Sequence, residues 1–464
     1  MDSASKNGGA NGAIKILQFG EGNFLRAFAD YIVAEMNKCG LFDGRVCVLN
    51  LRNTGSVENI KLQKGRYNLI SRGIKNGRAS VEVSVIDSIA KAVNPYSEFD
   101  EFIKFAGSED LRFVFSNSTE AGICFNSSDK LEDTPPSTFP AKLTLLLFKR
   151  YEIFCGDSSR GLIIMPCELL ERNGDSLKEC VLKYAAHWNL PRAFSSWVEQ
   201  NCAFCNTLVD RIVSGFPKDF DGNLMIDGKP DRLAVVAEPY YLWAIEAPEC
   251  VKKEMPFEKS ALNAVYTSDI SGYRARKVTF LNAPHTLISA IGLQLGLSTV
   301  CEAVEHQLLS RYLDALMFGE LLKTLDFPSD ELRSYGMSVI ERFKNPYLQH
   351  SLKSIASNIE SKCAVRVAPP VKRYVERGNG VPHAACLGLA ANFTYLFSEG
   401  GNKKDSDIGA FSEDLLSKIF EGNRDFDGYD SVRTAVLKYV NMIAKNGILS
   451  ALEDFLNEGF YKNR

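Results

Sequence analysis

The sequence predicts an α/β protein, with a Rossmann-like N-terminal domain and a mostly α-helical C-terminal domain. Three observations carry that expectation. Short apolar runs alternate with amphipathic stretches through the first half, a Gly-x-Gly turn follows the first of those runs, and long helical patterns replace strand-like runs after about residue 255. Strands alternating with helices build βαβ units and a parallel sheet. A chain of 464 residues is also too long for one ordinary core. The expected organisation is a flexible tail over 1–13, a dinucleotide-binding domain over 14–265 and a helical substrate-binding domain over 266–464.

In chain order, residues 1–13 are small, polar and Gly-rich and lack the apolar core of a signal peptide, which points to a cytoplasmic protein. Residues 14–19, 46–49, 113–115, 162–165 and 233–236 read as strands. Phe24, Phe28, Tyr31, Ile32 and Met36 share one side of a helix that follows the glycine turn. In the second half, 434–456 is a long helical pattern, and 326–329 and 399–402 read as loops between helices.

Composition excludes several classes. A net charge of −3 gives no electrostatic case for nucleic acid or an anionic membrane as partner. No apolar run reaches the roughly 18 residues of a membrane span. Twelve cysteines lie at irregular spacings, and the close pair Cys202 and Cys205 lacks the second pair or the histidines of a zinc site. They read as reduced, mostly buried thiols, and no metal is expected.

The first strand ends at Phe19 and runs into Gly20-Glu21-Gly22-Asn23-Phe24. The first glycine of such a turn allows the tight bend, and the second lets backbone approach a pyrophosphate at a helix start. The third glycine of the usual fingerprint is replaced by Leu25. At the end of the second strand there is no carboxylate to hold a ribose. Asn50 there suits the ribose of NAD and Arg52 the 2′-phosphate of NADP, so these residues leave the cofactor open.

Near the domain boundary, Lys277, Asn282 and His285 fall within an arc of about 140° on a helical pattern. Lysine can exchange a proton with a carbonyl oxygen while Asn and His donate to the growing negative charge. On spacing alone, a hydrogen-bonded polar stripe at a domain interface is the more frequent origin of such a pattern. Pro284 inside it is expected to kink the helix.

The pattern Lys277-x4-Asn282-x2-His285 resembles the signature of the mannitol dehydrogenase family, the long-chain polyol dehydrogenases. The resemblance extends along nearly the whole chain, through 20–27, 206–212 and Glu238-Pro239 with Trp243. Residues 116–123, 138–144, 166–169 and 342–347 look closest to its tagaturonate reductase branch. The resemblance implies reversible hydride transfer between NAD and a ketohexuronate, tagaturonate, in hexuronate catabolism. Lys277 would be the general acid and base, with Asn282 and His285 holding the reacting oxygen and Asp210 lining the site. Phe19, Gly20, Gly22, Asn23, Phe24, Asn50, Ser116 and Asn117 are the candidate cofactor-binding residues. Cofactor and substrate would meet in the cleft between the domains.

Two positions depart from the family pattern. Where polyol-oxidising relatives carry Cys-Asp-Asn, this chain reads Cys167-Glu168-Leu169, and Ala283-Pro284 replaces a more usual Gly-Ala pair. A carboxylated substrate needs a cation, for which Arg342 and Arg366 are the candidates, with Lys362 and Lys353 behind them. His187, His306, His350 and His383 read as structural, His350 lying close to Asn345. The alternatives are a reductase for the epimeric fructuronate, a mannitol-type polyol dehydrogenase, and a non-catalytic nucleotide-binding regulator. The expected state is a monomer or homodimer with only small-molecule partners.

Overall fold

The computed structural model describes residues 12–52, 57–75, 77–118, 122–217, 224–348, 350–399, 407–420 and 428–458. The expected tail through residue 11, residues 119–121 of the 116–123 motif and residues 400–402 of the second expected loop lie outside them. The chain forms two compact units: residues 1–72 with 80–270, and residues 73–79 with 271–464.

The first unit is built on six parallel strands: β1 (Ile14–Phe19), β2 (Arg45–Leu49), β3 (Ile89–Val93), β4 (Phe113–Ser116), β5 (Ile163–Pro166) and β6 (Ala203–Phe204). Their order across the sheet is β3-β2-β1-β4-β5-β6, the doubly wound order of dinucleotide-binding folds. The alternation of side chains explains why both faces are covered. Ile16, Val46, Val48, Phe113 and Phe115 enter one core, while Leu17, Phe19, Cys47, Leu49 and Val114 enter the other.

Not every expected strand joins this sheet. The run at 233–236 becomes Val235–Ala237, which pairs with Val213–Gly215 and Tyr67–Lys75 in a separate four-stranded sheet. Strand Ala264–Thr267 pairs in parallel with Leu242–Glu246. That pairing carries the first unit to Ile270, past the boundary of 265 expected from the sequence. The turn between Tyr67–Lys75 and Arg78–Ile86 counts with the second unit, where the Gly77 N–H donates to the Glu341 carboxylate at 2.8 Å.

The second unit is helical. Helix Ala283–Gln294 packs against His383–Glu399, which in turn packs on Tyr429–Asn457. The long pattern expected over 434–456 is broken at Gly447, whose φ of +81° no continuous helix accommodates. Buried Glu320 accepts hydrogen bonds from the Ala384 and Ala385 N–H groups at 2.7 and 3.0 Å, capping the first turn of His383–Glu399. Among the described residues no helix is long and apolar enough to cross a membrane.

Candidate active site

The nucleotide end starts where β1 stops. Gly20 has a φ of +125°, and a Cβ there would lie 3.1 Å from the Asn117 carbonyl oxygen. Only glycine makes this bend without strain. Its N–H donates to the Leu49 oxygen at 3.0 Å and its carbonyl accepts from the Gln18 amide at 3.1 Å. Gly22 differs: a Cβ there would meet nothing within 4 Å. The backbone at Gly22 therefore faces open space. Buried Arg26 stiffens the turn from behind, donating to the Glu21 oxygen at 3.3 Å, to Asn23 Oδ1 at 2.6 Å and to the Leu233 oxygen.

Gly20, Gly22, Leu51, Arg52, Asn117 and Thr138 border a cleft of about 470 Å³. It lies past the carboxyl ends of β1, β2 and β4, where the strand order reverses direction. That switch point is where open α/β sheets bind ligands. Of the expected cofactor residues, Gly20, Gly22 and Asn117 border the cleft. The other five lie around it. Phe19 packs on Phe102 and Phe139, Asn23 accepts from Arg26, and Phe24 stacks on Phe28 at 5.1 Å. Asn50 is buried, and its Oδ1 accepts the Arg52 N–H at 2.9 Å, so it shapes the strand end instead of facing the cleft.

Ser116 is also buried, and its hydroxyl donates to Glu168 at 3.0 Å. The Glu168 carboxylate takes two more hydrogen bonds, from the Ser118 N–H at 2.9 Å and hydroxyl at 3.0 Å. Asn117 Nδ2 donates to the Cys167 oxygen at 2.7 Å. The departure at Cys167-Glu168-Leu169 thus secures the end of β4. Burial pushes the Glu168 carboxyl above the ordinary range, against the pull of these donors.

One wall of the cleft escaped the sequence reading. Ser137, Thr138 and Phe139 border it at the start of helix Phe139–Ile153. Asp129 holds them, accepting from the Ser137 N–H at 2.7 Å and from the Thr138 hydroxyl at 2.8 Å. The N-cap Thr138 before Phe139-Pro140 was the available signal. The contact with Asp129 had none, because a loop joins the two.

The chemical end is one continuous helical stretch with a change of pitch. Helix Ser271–Lys277 passes into a π-helical turn, Val278–Asn282, and then into Ala283–Gln294. Pro284 stands in the first turn of Ala283–Gln294, just after this wider turn, a position that proline tolerates, rather than inside a helix that it would kink. Bonding from i to i+5 brings residues five apart nearer to one face than 100° per residue does. Lys277 and Asn282 are five apart. Among the described residues, the buried Nε2 of His285 has no hydrogen-bond partner.

His285 lies against Phe343, with ring centroids 5.0 Å apart, and against His350 at 4.6 Å. A second π-helical turn, Cys363–Val367, packs on Val278–Asn282 and carries Arg366. Arg342 is buried in the last turn of Ser329–Phe343. Burial, and then the charges of His350, Arg366, Arg342 and Lys362, hold the His285 imidazole well below the ordinary histidine range. The structure thus gathers Arg342, Arg366, Lys362 and His350 around His285, and Lys353 is not among the charges that act on it. Asp210 is buried in the first unit, at the end of strand Asn206–Asp210, opposite Leu242 of the neighbouring strand.

Comparison with known proteins agrees with this architecture. The mannitol dehydrogenase Rossmann domain matches residues 14–259, and the mannitol dehydrogenase C-terminal domain matches residues 269–442. An altronate oxidoreductase of Phocaeicola vulgatus is 44% identical over 395 residues, covering 84% of this chain and 81% of the relative. That of Bacillus subtilis is 38% identical over 461 residues, covering 96% of each. Among solved structures, D-sorbitol dehydrogenase in substrate-free form superposes with a TM-score of 0.78 at 23% identity, covering 96% of each chain. Pseudomonas fluorescens mannitol 2-dehydrogenase, in ternary complex with NAD and D-mannitol, gives 0.69 at 22% identity, covering 97% of this chain and 95% of that one. With both halves matched in order, the chain belongs to the mannitol dehydrogenase family.

Proposed function

We propose that the protein is an NAD-dependent oxidoreductase that interconverts tagaturonate and altronate in hexuronate catabolism. The observation that carries this reading is the set of cations around His285. Buried Arg342 and neighbouring Arg366 suit the carboxylate that a sugar acid brings and a polyol lacks. The relatives named altronate oxidoreductase, 38–44% identical over most of the chain, support the same substrate class.

NAD fits the residues present. The open space beside the Gly22 backbone accepts a pyrophosphate, and the cleft lies at the switch point of a parallel sheet. When bound, NAD supplies or accepts the hydride. The chain's own groups do the rest. Lys277 gives a proton to the substrate's carbonyl oxygen as it becomes an alkoxide, and takes one in the oxidation direction. The Asn282 amide and His285 donate hydrogen bonds to that oxygen as its charge grows. His285 is neutral near pH 7 and so carries a single ring N–H. Arg342 and Arg366 hold the carboxylate, and Asp210 takes a substrate hydroxyl, as the family resemblance implies.

The test is oxidation of NADH and NADPH by the purified protein with tagaturonate, fructuronate and fructose side by side. NADH oxidation with tagaturonate alone is the expected result. Activity with fructose alone would overturn the carboxylate assignment, and Arg342 and Arg366 with it. NADPH is included because Arg52 borders the cleft at the end of β2. Lys277→Ala is expected to lower kcat by about 10²–10⁴-fold while leaving the NADH dissociation constant nearly unchanged. A wild-type protein that binds NADH and turns over none of the three substrates would instead be a nucleotide-binding regulator.

A further inference from the structure

We infer that His350, paired with His285, is a specificity-determining residue that couples binding of the substrate's carboxylate to uptake of a proton. The inference rests on the sugar-acid reading above and assigns a role to a residue outside the Lys277, Asn282, His285 signature.

The geometry is specific. The two imidazole rings lie 4.6 Å apart, edge towards face, and His285 is also stacked on Phe343. The Nε2 of His285 is buried with no protein partner among the described residues, an arrangement that costs free energy unless a ligand completes it. His350 is presented by a fixed backbone. Its carbonyl accepts the Val300 N–H at 3.0 Å, its N–H donates to the Leu348 oxygen at 2.8 Å, and Ser351 beside it bridges to Thr299.

The charges that act most on His285 are all on nitrogen: His350 itself, Arg366 from the second π turn, Arg342 from Ser329–Phe343 and Lys362 from Ile359–Lys362. His350 is acted on by Arg342. Burial holds both imidazoles below the ordinary histidine range, helped by Arg366, Arg342 and Lys362 at His285 and by Arg342 at His350. A carboxylate entering this cluster reverses the balance. It offsets the repulsion from the arginines and offers an acceptor, so the proton affinity of the pair rises. A group whose proton affinity rises on binding takes up protons, and the affinity for the ligand must then fall as pH rises. A hydroxymethyl group in the same place carries no charge and produces neither effect. The pair therefore separates a sugar acid from the corresponding polyol by more than the presence of a cation.

The experiment is calorimetric titration of the NADH-bound protein with altronate and, separately, with altritol, its uncharged counterpart, in two buffers of different ionisation enthalpy. Altronate with NADH forms a complex that cannot react. The expected result is uptake of up to one proton with altronate and none with altritol. The altronate affinity should fall by up to about tenfold per pH unit between pH 6 and pH 8. In His350→Gln the uptake should shrink, and the KM for tagaturonate should rise more than kcat falls and lose much of its pH slope. Altronate binding to the wild-type protein without proton uptake overturns the inference, a measurement that needs no variant to fold. Undiminished uptake in both His350→Gln and His350→Asn overturns it equally. Tagaturonate reduction at a normal rate without uptake removes this inference alone. Absence of both altronate binding and tagaturonate turnover removes the functional reading and this inference together.

Discussion

Asp30 shows what single residues contribute behind the cleft. It is fully buried, and its Oδ2 accepts from the Gln18 amide at 3.3 Å, while its Oδ1 and the Oε1 of Gln18 have no partner among the described residues. Burial raises its carboxyl to about 7, with the Gln18 bond and the charge of Arg26 opposing. A carboxyl raised in the folded state contributes stability below its unfolded value, near 4, and loses it as pH rises through about 7. Asp30→Asn removes the buried charge and supplies an amide N–H towards Gln18 Oε1. The variant should therefore be more stable than the parent at pH 8, by roughly 1–3 kcal/mol, and the advantage should shrink towards pH 5. Urea melts at the two pH values measure it; a variant less stable at pH 8 would show that the ionised carboxylate is needed. The carboxylate itself was plain in the sequence as the seventh residue after Asn23. Its burial was not, because the polar partner Gln18 lies on a strand with an apolar pattern.

At the scale of elements, the two glycines of the first turn do different work, although both were singled out from one motif. Gly20 is required by its own backbone, and Gly22 by what approaches it. Gly22→Ala should leave stability within about 0.5 kcal/mol of the parent, because no protein atom lies within 4 Å of the added carbon. It should weaken NADH binding at least tenfold, since the same carbon fills the space of the pyrophosphate. Gly20→Ala should lose more than about 1 kcal/mol of stability outright. Thermal melts together with NADH fluorescence titration separate the two. Unaltered NADH affinity in Gly22→Ala would move the nucleotide out of this cleft. The helix of Lys277 carries the complementary lesson. Its polar positions stood out from an apolar period, but a period of 3.6 residues holds no hint of a π turn. Val278–Asn282 packs on Cys363–Val367, an element far away in the chain.

At the scale of the whole molecule, the chain divides into two compact units, each with its own buried apolar residues. Calorimetry of the full chain should therefore depart from a single two-state transition. NADH should raise the transition of the first unit, by about 2.7 kcal/mol at a hundredfold excess over its dissociation constant, and tryptophan fluorescence reports that unit because Trp188, Trp197 and Trp243 all belong to it. A fluorescence transition that NADH leaves in place would argue against a nucleotide site bordered by Gly20, Gly22 and Asn117.

The sequence by itself determined the parallel sheet, the glycine turn, the change to helices and the Lys277, Asn282, His285 series. Each of these is written in local periodicity or in a short motif, where neighbours in the chain are neighbours in space. Tertiary structure decided the rest. Only folding carried Val235–Ala237 into a second sheet, set Glu168 under Ser116 and Ser118, and turned Asn50 inward to the Arg52 N–H. It alone brought His350, Arg342 and Arg366 from three separate segments to His285. The physical reason is common to all of these contacts. Burial, charge and hydrogen-bond partners belong to positions in space, and a one-dimensional pattern records them only when the partners lie within a turn or a strand of each other.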